Sequence, residues 1–266
     1  MIGPYIANTI ERLIASEGEP YIPRNNNIED IELDFGGTLM GFSCPPASPW
    51  LCQQTSVSEA SIDLMDKSLY SPPSKELIYT HSRYCYCDVF YREWRLYGDL
   101  LHFRPIACAS LAIKVVKIPK VGPKDTLFDF DHSKEVFPTV SQENFPDLVI
   151  RSTGGGLLRK LCPTRASFNS VGHQGDNERQ YYFRIFIVLD SEHMLVLDFY
   201  LIRSPKTSTS VLDGFKKFLE SIENTLYVNY SSEVNNERVR AEVNFSERHD
   251  CDYDEEFGPL FAMDLD

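Results

Sequence analysis

The residues best suited to chemistry lie near the C-terminal end of the chain. Residues 246–266 hold eight acids against one base, Arg248, and through them run Phe257, Leu260, Phe261 and Met263. Carboxylates keep such a segment hydrated and open, and large apolar side chains set among them are left to dock into a groove on another protein. A helical form would put Phe257 and Phe261 on one face, although Gly258-Pro259 interrupts the first turn. The plainer alternative is a solvated tail whose apolar groups pack on the chain's own surface.

A second constellation could hold a metal. His81, Cys85 and Cys87 fall within seven residues, and Cys251, with His249 two positions before it, could complete a set of four. Zinc takes a tetrahedral set of thiolates and imidazoles. The Cys-x-Cys spacing is tighter than that of zinc fingers or ribbons, yet on a strand it puts both thiols on one face. Read without a metal, Cys85 and Cys87 are small core residues between tyrosines.

Acid–metal hydrolysis offers a third possibility. Asp147, and Asp198 on a later strand, faintly resemble the acid pair with which a restriction-type nuclease core binds magnesium and activates water. The lysine that should follow the second acid is missing, since Asp198 leads into Phe199 and Tyr200. Asp198 also has a structural reading. An acid in an apolar strand needs a partner, and Arg184 on the neighbouring strand is the nearest candidate. Gly154-Gly-Gly156, followed by Arg159 and Lys160, has neither phosphate-loop spacing, and a hairpin or loop accounts for it. No nucleophile-elbow motif occurs, and the six histidines are scattered, with His193 read as a turn residue.

The elements that would position these groups are legible in part. Ile6, Ile10, Leu13 and Ile14 predict a helix over 4–16, ended by Gly18 and Pro20. Ile31, Leu33 and Phe35 alternate with acids, as in a half-buried strand. Residues 58–69 read as a short helix, 84–91 as an aromatic strand and 111–118 as a β-branched strand stopped by Pro119. Residues 119–145, with three prolines and many charges, form a long loop or a hinge.

The clearest signal is at 180–228. Two apolar nine-residue runs, 181–189 and 194–202, are joined by Asp190-Ser-Glu-His193 and predict a β-hairpin covered on both faces. After Ser204-Pro205, Val211, Leu212, Phe215, Phe218, Leu219, Ile222 and Leu226 form one wide helical stripe. The segment therefore reads as a ββα unit.

Composition narrows the function. The chain has 266 residues, 42% hydrophobic and 24% charged, enough to bury a core. Its net charge of −13 divides into −7 from residues 246–266 and −6 from the remainder. That balance disfavours nucleic acid and anionic lipid as partners, since both are held through basic surface. No apolar run is long enough to span a bilayer and the first residues do not form a secretory signal, so no membrane association is expected. An odd set of seven cysteines then reads as reduced thiols in a cytoplasmic or nuclear protein.

The expected fold class is α+β: a largely antiparallel sheet with helices packed on one face. One body over 1–245 precedes an acidic tail at 246–266. The expected function is non-enzymatic interaction with another protein, as an adaptor using the folded surface and the tail. The alternative is a metal-dependent hydrolase or nuclease using Asp147 and Asp198.

Overall fold

The computed structural model describes residues 28–47, 61–70, 85–97, 105–118, 126–129, 132–133, 136, 148–153, 156–168, 178–203 and 209–249. The helix expected over 4–16 lies outside them. Among the described residues the main elements, in chain order, are β1 Glu29–Phe35, β2 Thr38–Cys44, β3 Cys85–Tyr97, β4 Pro105–Lys117, β5 Leu148–Thr153, β6 Gly156–Phe168, β7 Glu178–Val188, β8 His193–Arg203, α1 Thr209–Glu223, β9 Tyr227–Asn229 and α2 Ser232–His249. They form a six-stranded sheet, ordered β3-β4-β8-β7-β6-β5, and a three-stranded sheet, β1-β2-β9. Every pairing among the described residues is antiparallel, which makes the chain a mixed α+β protein built mostly of strands. β4 pairs with β8, so strands from before and after 119–145 share one sheet, although β5, the first strand after that segment, lies at the far edge from β3.

The small sheet follows from simple alternation. Leu33, Phe35, Met40, Phe42 and Val228 are buried on one face, while Glu32 and Tyr227 are exposed on the other. Gly36 and Gly37 make the turn between β1 and β2 with φ of 67° and 96°. Both values lie where side chains are disfavoured, and two such residues give the hairpin turn that matches strand twist. The Gly37 amide also donates to Asp34 Oδ1 at 2.7 Å.

Gly41 serves the outer face differently. It pairs with Glu32 on one side and Tyr227 on the other. The Tyr227 ring lies where a Cβ on residue 41 would stand, and its hydroxyl donates to Glu32 Oε2 at 2.8 Å. Replacing Gly41 by alanine must push that ring aside and break the bond. The expected loss is about 1 kcal/mol, because Tyr227 is exposed and its ring can swing away. Urea unfolding checks this, and Tyr227→Ala in the same background should add little further loss.

The large sheet separates two apolar clusters. Alternate residues of β4, β7 and β8, among them Val115, Ile187 and Leu197, join the small sheet and Phe215, Phe218, Leu219 and Ile222 of α1. The intervening residues, among them Val116, Phe186 and Val196, join Leu127, Phe128 and Val136 with Ala241 and Val234 of α2. The described residues of α1 and α2 contribute to different clusters, of opposite strand parity. The cause is the near-continuous apolar character of these strands, which leaves two faces in need of cover. The segment after Ile118 supplies part of that cover.

The expected helix over 58–69 is corrected. Its described part, 61–69, is a loop ending in one 3-10 turn, Lys67–Leu69. Asp63 accepts from the Met65 amide and Asp66 from the Ser68 amide, both at 2.9 Å. Short acids that bond backbone two residues ahead compete with helix formation.

Candidate functional site

The most organised polar cluster closes the β7–β8 hairpin. Asp190 begins the connection and His193 begins β8. Asp190 Oδ1 accepts from the Glu192 amide at 2.7 Å and the His193 amide at 2.8 Å, and the His193 ring approaches the carboxylate through Nδ1 at 2.9 Å. Burial alone would push the Asp190 carboxyl up, but the His193 ring and these two amides hold it below the ordinary carboxylate range. An ionised carboxylate can only accept, so Nδ1 carries a proton, and a neutral ring in that tautomer has its lone pair at Nε2. His193 is 0% exposed, and Nε2 has no hydrogen-bond partner.

Neighbouring elements fix the connection from outside. The Ile118 amide donates to the Glu192 carbonyl at 2.7 Å, the Leu127 amide to the Ser191 carbonyl at 3.3 Å, and Lys117 Nζ lies 3.9 Å from Glu192. The Tyr70 ring lies 6.0 Å from the His193 ring. Burial raises the Tyr70 hydroxyl above its usual range, with Cys87, Asp190 and Asp63 adding to the effect. A carboxylate behind an imidazole is how general bases and metal-bound histidines are oriented. Here the ring is sealed, and the arrangement as it stands staples a turn.

A second buried polar group joins the two sheets. Arg92 of β3 is 7% exposed. Its guanidinium donates to Glu29 Oε2 at 2.7 Å, to the Pro45 carbonyl at 2.9 Å and to Cys44 Sγ at 3.1 Å, and it lies 5.2 Å from the centre of the Phe90 ring. Trp94 Nε1 donates to the same Pro45 carbonyl at 3.1 Å, while its ring meets Phe218 of α1 edge-to-face at 4.8 Å. Burial pushes the Cys44 thiol up to about 11, with Arg92 pulling the other way. The signal for this group is a cation placed between Phe90 and Trp94 in an alternating run, and for the turn it is an acid three residues before a histidine.

Of the metal set singled out from sequence, Cys85 and Cys87 are among the described residues. Cys85 is exposed and Cys87 half-buried against the first cluster. The reading of both as core residues therefore fails for Cys85. Burial, then Asp88, raises the Cys87 thiol, which disfavours it as a nucleophile. Among the described residues, Cys44, Cys85, Cys87 and Cys108 are free, and no three His, Cys, Asp or Glu side chains converge as a metal site.

Other expected site residues are His81, Asp147, Cys251, Phe257, Leu260, Phe261 and Met263, all outside the described residues. Asp198 is 1% exposed, accepts from the Tyr200 hydroxyl at 3.3 Å and stands opposite Arg184 in the strand register. Its burial suits the structural reading better than water activation. Thr153 pairs with Gly156, so Gly154-Gly155 connects the two strands of a hairpin. Among the described residues, no helix is long and apolar enough to cross a membrane. Compared with known proteins, the chain matches no family model, no curated protein and no solved structure.

Proposed function

We propose that this chain is a non-enzymatic interaction protein that binds another protein through its folded surface and its acidic, aromatic C-terminal segment. The observation that carries the reading is the make-up of 246–266, where eight acids flank the run that holds Phe257, Leu260, Phe261 and Met263. Acids at that density on both sides oppose self-burial of the apolar run they enclose, which favours docking on a partner. The body is the frame for that segment, and within it we take 180–228 as one ββα unit. The chain's negative charge favours a protein partner over nucleic acid, in the cytoplasm or nucleus. The described polar groups lend support, since His193, Arg92 and Asp198 are buried and engaged in holding the fold.

The test follows from the helix boundary. Because α2 ends at His249, removing 250–266 leaves that helix whole. Partner recovery from cell extract should be lost in the truncated chain. It should also be lost in the Phe257→Ala, Phe261→Ala double variant, with the melting temperature unmoved within about 1 °C, as for surface substitutions. Unchanged recovery without the segment would place binding elsewhere.

A further inference from the structure

We infer that residues 61–70 form a strap that lifts as one unit and uncovers His193 as an oriented imidazole. The strap's hydrogen bonds are almost all its own. The Asp66 amide donates to the Asp63 carbonyl at 3.0 Å, the Leu69 amide to the Asp66 carbonyl at 3.2 Å and the Tyr70 amide to the Lys67 carbonyl at 3.4 Å. The Ser68 hydroxyl donates to Asp66 at 2.6 Å. The Tyr70 hydroxyl turns back to the Leu64 carbonyl at 3.0 Å rather than bonding to the body.

Among the described residues, one hydrogen bond leaves the strap, from the Ile62 amide to the Asp34 carbonyl at 2.7 Å. The rest of its attachment is apolar: Ile62 and Leu64 are buried, and Tyr70 is half-buried against the first cluster. Lifting it therefore breaks one hydrogen bond and exposes three side chains, while its internal structure stays intact. Segments tied down this lightly open well below the free energy of global unfolding.

What lies under Tyr70 gives the motion a consequence. His193 is 0% exposed with Nε2 unpartnered, an arrangement that carries a desolvation cost. Asp190, Glu192, Ile118 and Leu127 all belong to the body and hold the turn independently of the strap. When the strap lifts, the imidazole keeps its orientation and Nε2 gains access to solvent. In its neutral form the uncovered ring is a carboxylate-backed acceptor suited to a hydroxyl or another proton donor. This inference is independent of the C-terminal segment.

Diethylpyrocarbonate, which carbethoxylates accessible imidazole nitrogens, reads the opening directly in the full chain. The rate at His193 is followed by peptide mass spectrometry, with half-buried His132 as internal reference. Ile62→Ala and Tyr70→Ala should each raise the His193 rate by roughly tenfold or more, and Ile62→Val by less, as expected for trimming a buried anchor. Leu226→Ala, which weakens the same core away from the strap, should leave it near the wild-type rate. Two results would overturn the strap: an unchanged His193 rate in the Ile62 and Tyr70 variants, or an equal rise in Leu226→Ala, which would assign access to global unfolding.

Discussion

Replacing Arg92 by alanine is expected to lower the unfolding free energy by about 3 kcal/mol, the range for breaking a buried pair from one side. The guanidinium joins β1, the end of β2 and β3 at once, through Glu29, Cys44 and Pro45. Its removal takes away three hydrogen bonds and the contact with Phe90, and leaves the Cys44 sulfur without a donor. Two features limit the cost. The Glu29 side chain is 48% exposed, so its charge regains water. The Pro45 carbonyl also keeps its bond from Trp94. For a chain of this size the melting temperature should fall by roughly 6–12 °C.

Arg92→Lys separates packing from geometry. An ammonium keeps the charge but cannot reproduce the planar fork that reaches three acceptors, so a loss of about 1–2 kcal/mol should remain. Urea unfolding measures both variants, with a lowered midpoint and an unchanged slope. Arg92→Ala and Trp94→Phe both remove a donor to Pro45, so their combined loss should exceed the sum of the two. Strict additivity would show that the shared carbonyl does not matter.

Asp190→Ala is expected to cost about 2–3 kcal/mol, since it strips three hydrogen bonds from the hairpin connection and leaves a buried imidazole with both nitrogens unpartnered. Asp190→Asn should cost less. Its amide oxygen can still accept from the Glu192 and His193 amides, while the attraction to the ring is weakened. Wild type and Asp190→Asn are distinguished best by pH.

The folded Asp190 carboxyl is held below its ordinary value of 3.8. A depressed folded value adds stability that is fully present above 3.8 and fades as pH falls through and below it. Melting temperatures taken from pH 6 down to pH 3 should therefore converge for wild type and Asp190→Asn at the acid end. A gap between them that stays constant to pH 3 would show that the ionised carboxylate contributes nothing.

Sequence and structure agree where one periodicity dominates. Ile31, Leu33 and Phe35 alternate with acids, and β1 runs Glu29–Phe35. The two apolar runs around Asp190-Ser-Glu-His193 correspond to β7 and β8, because chemistry that favours strands and a polar break coincide there. β3 continues six residues past the aromatic run at 84–91. Arg92, Glu93 and Arg95 hide the continuation, although Phe90, Trp94 and Leu96 keep the two-residue period.

Other elements carry little apolar signal. α2 has few core-facing residues, Val234 and Ala241 among them, in an otherwise polar stretch, so its helical period is faint. It runs through 246–249, into the first residues of the acidic segment. The Asp190–His193 pairing was open to inspection as a spacing, but turns are rich in acids and histidines for many reasons. Only the burial of the ring distinguishes this one.

The double-sided burial of β7 and β8 over Ile185–Val188 and His193–Phe199 also bears on how the chain finds its alignment. Where one surface of a ribbon is wet, sliding by a single residue is self-correcting, because greasy groups would be thrust into water. Between two dry layers that penalty largely vanishes, as either parity offers almost equally oily side chains. Fidelity must then come from the bend, where an acid, two amides and a ring fit together in only one offset. Damage at that bend should produce misaligned, association-prone ribbons rather than simple unravelling.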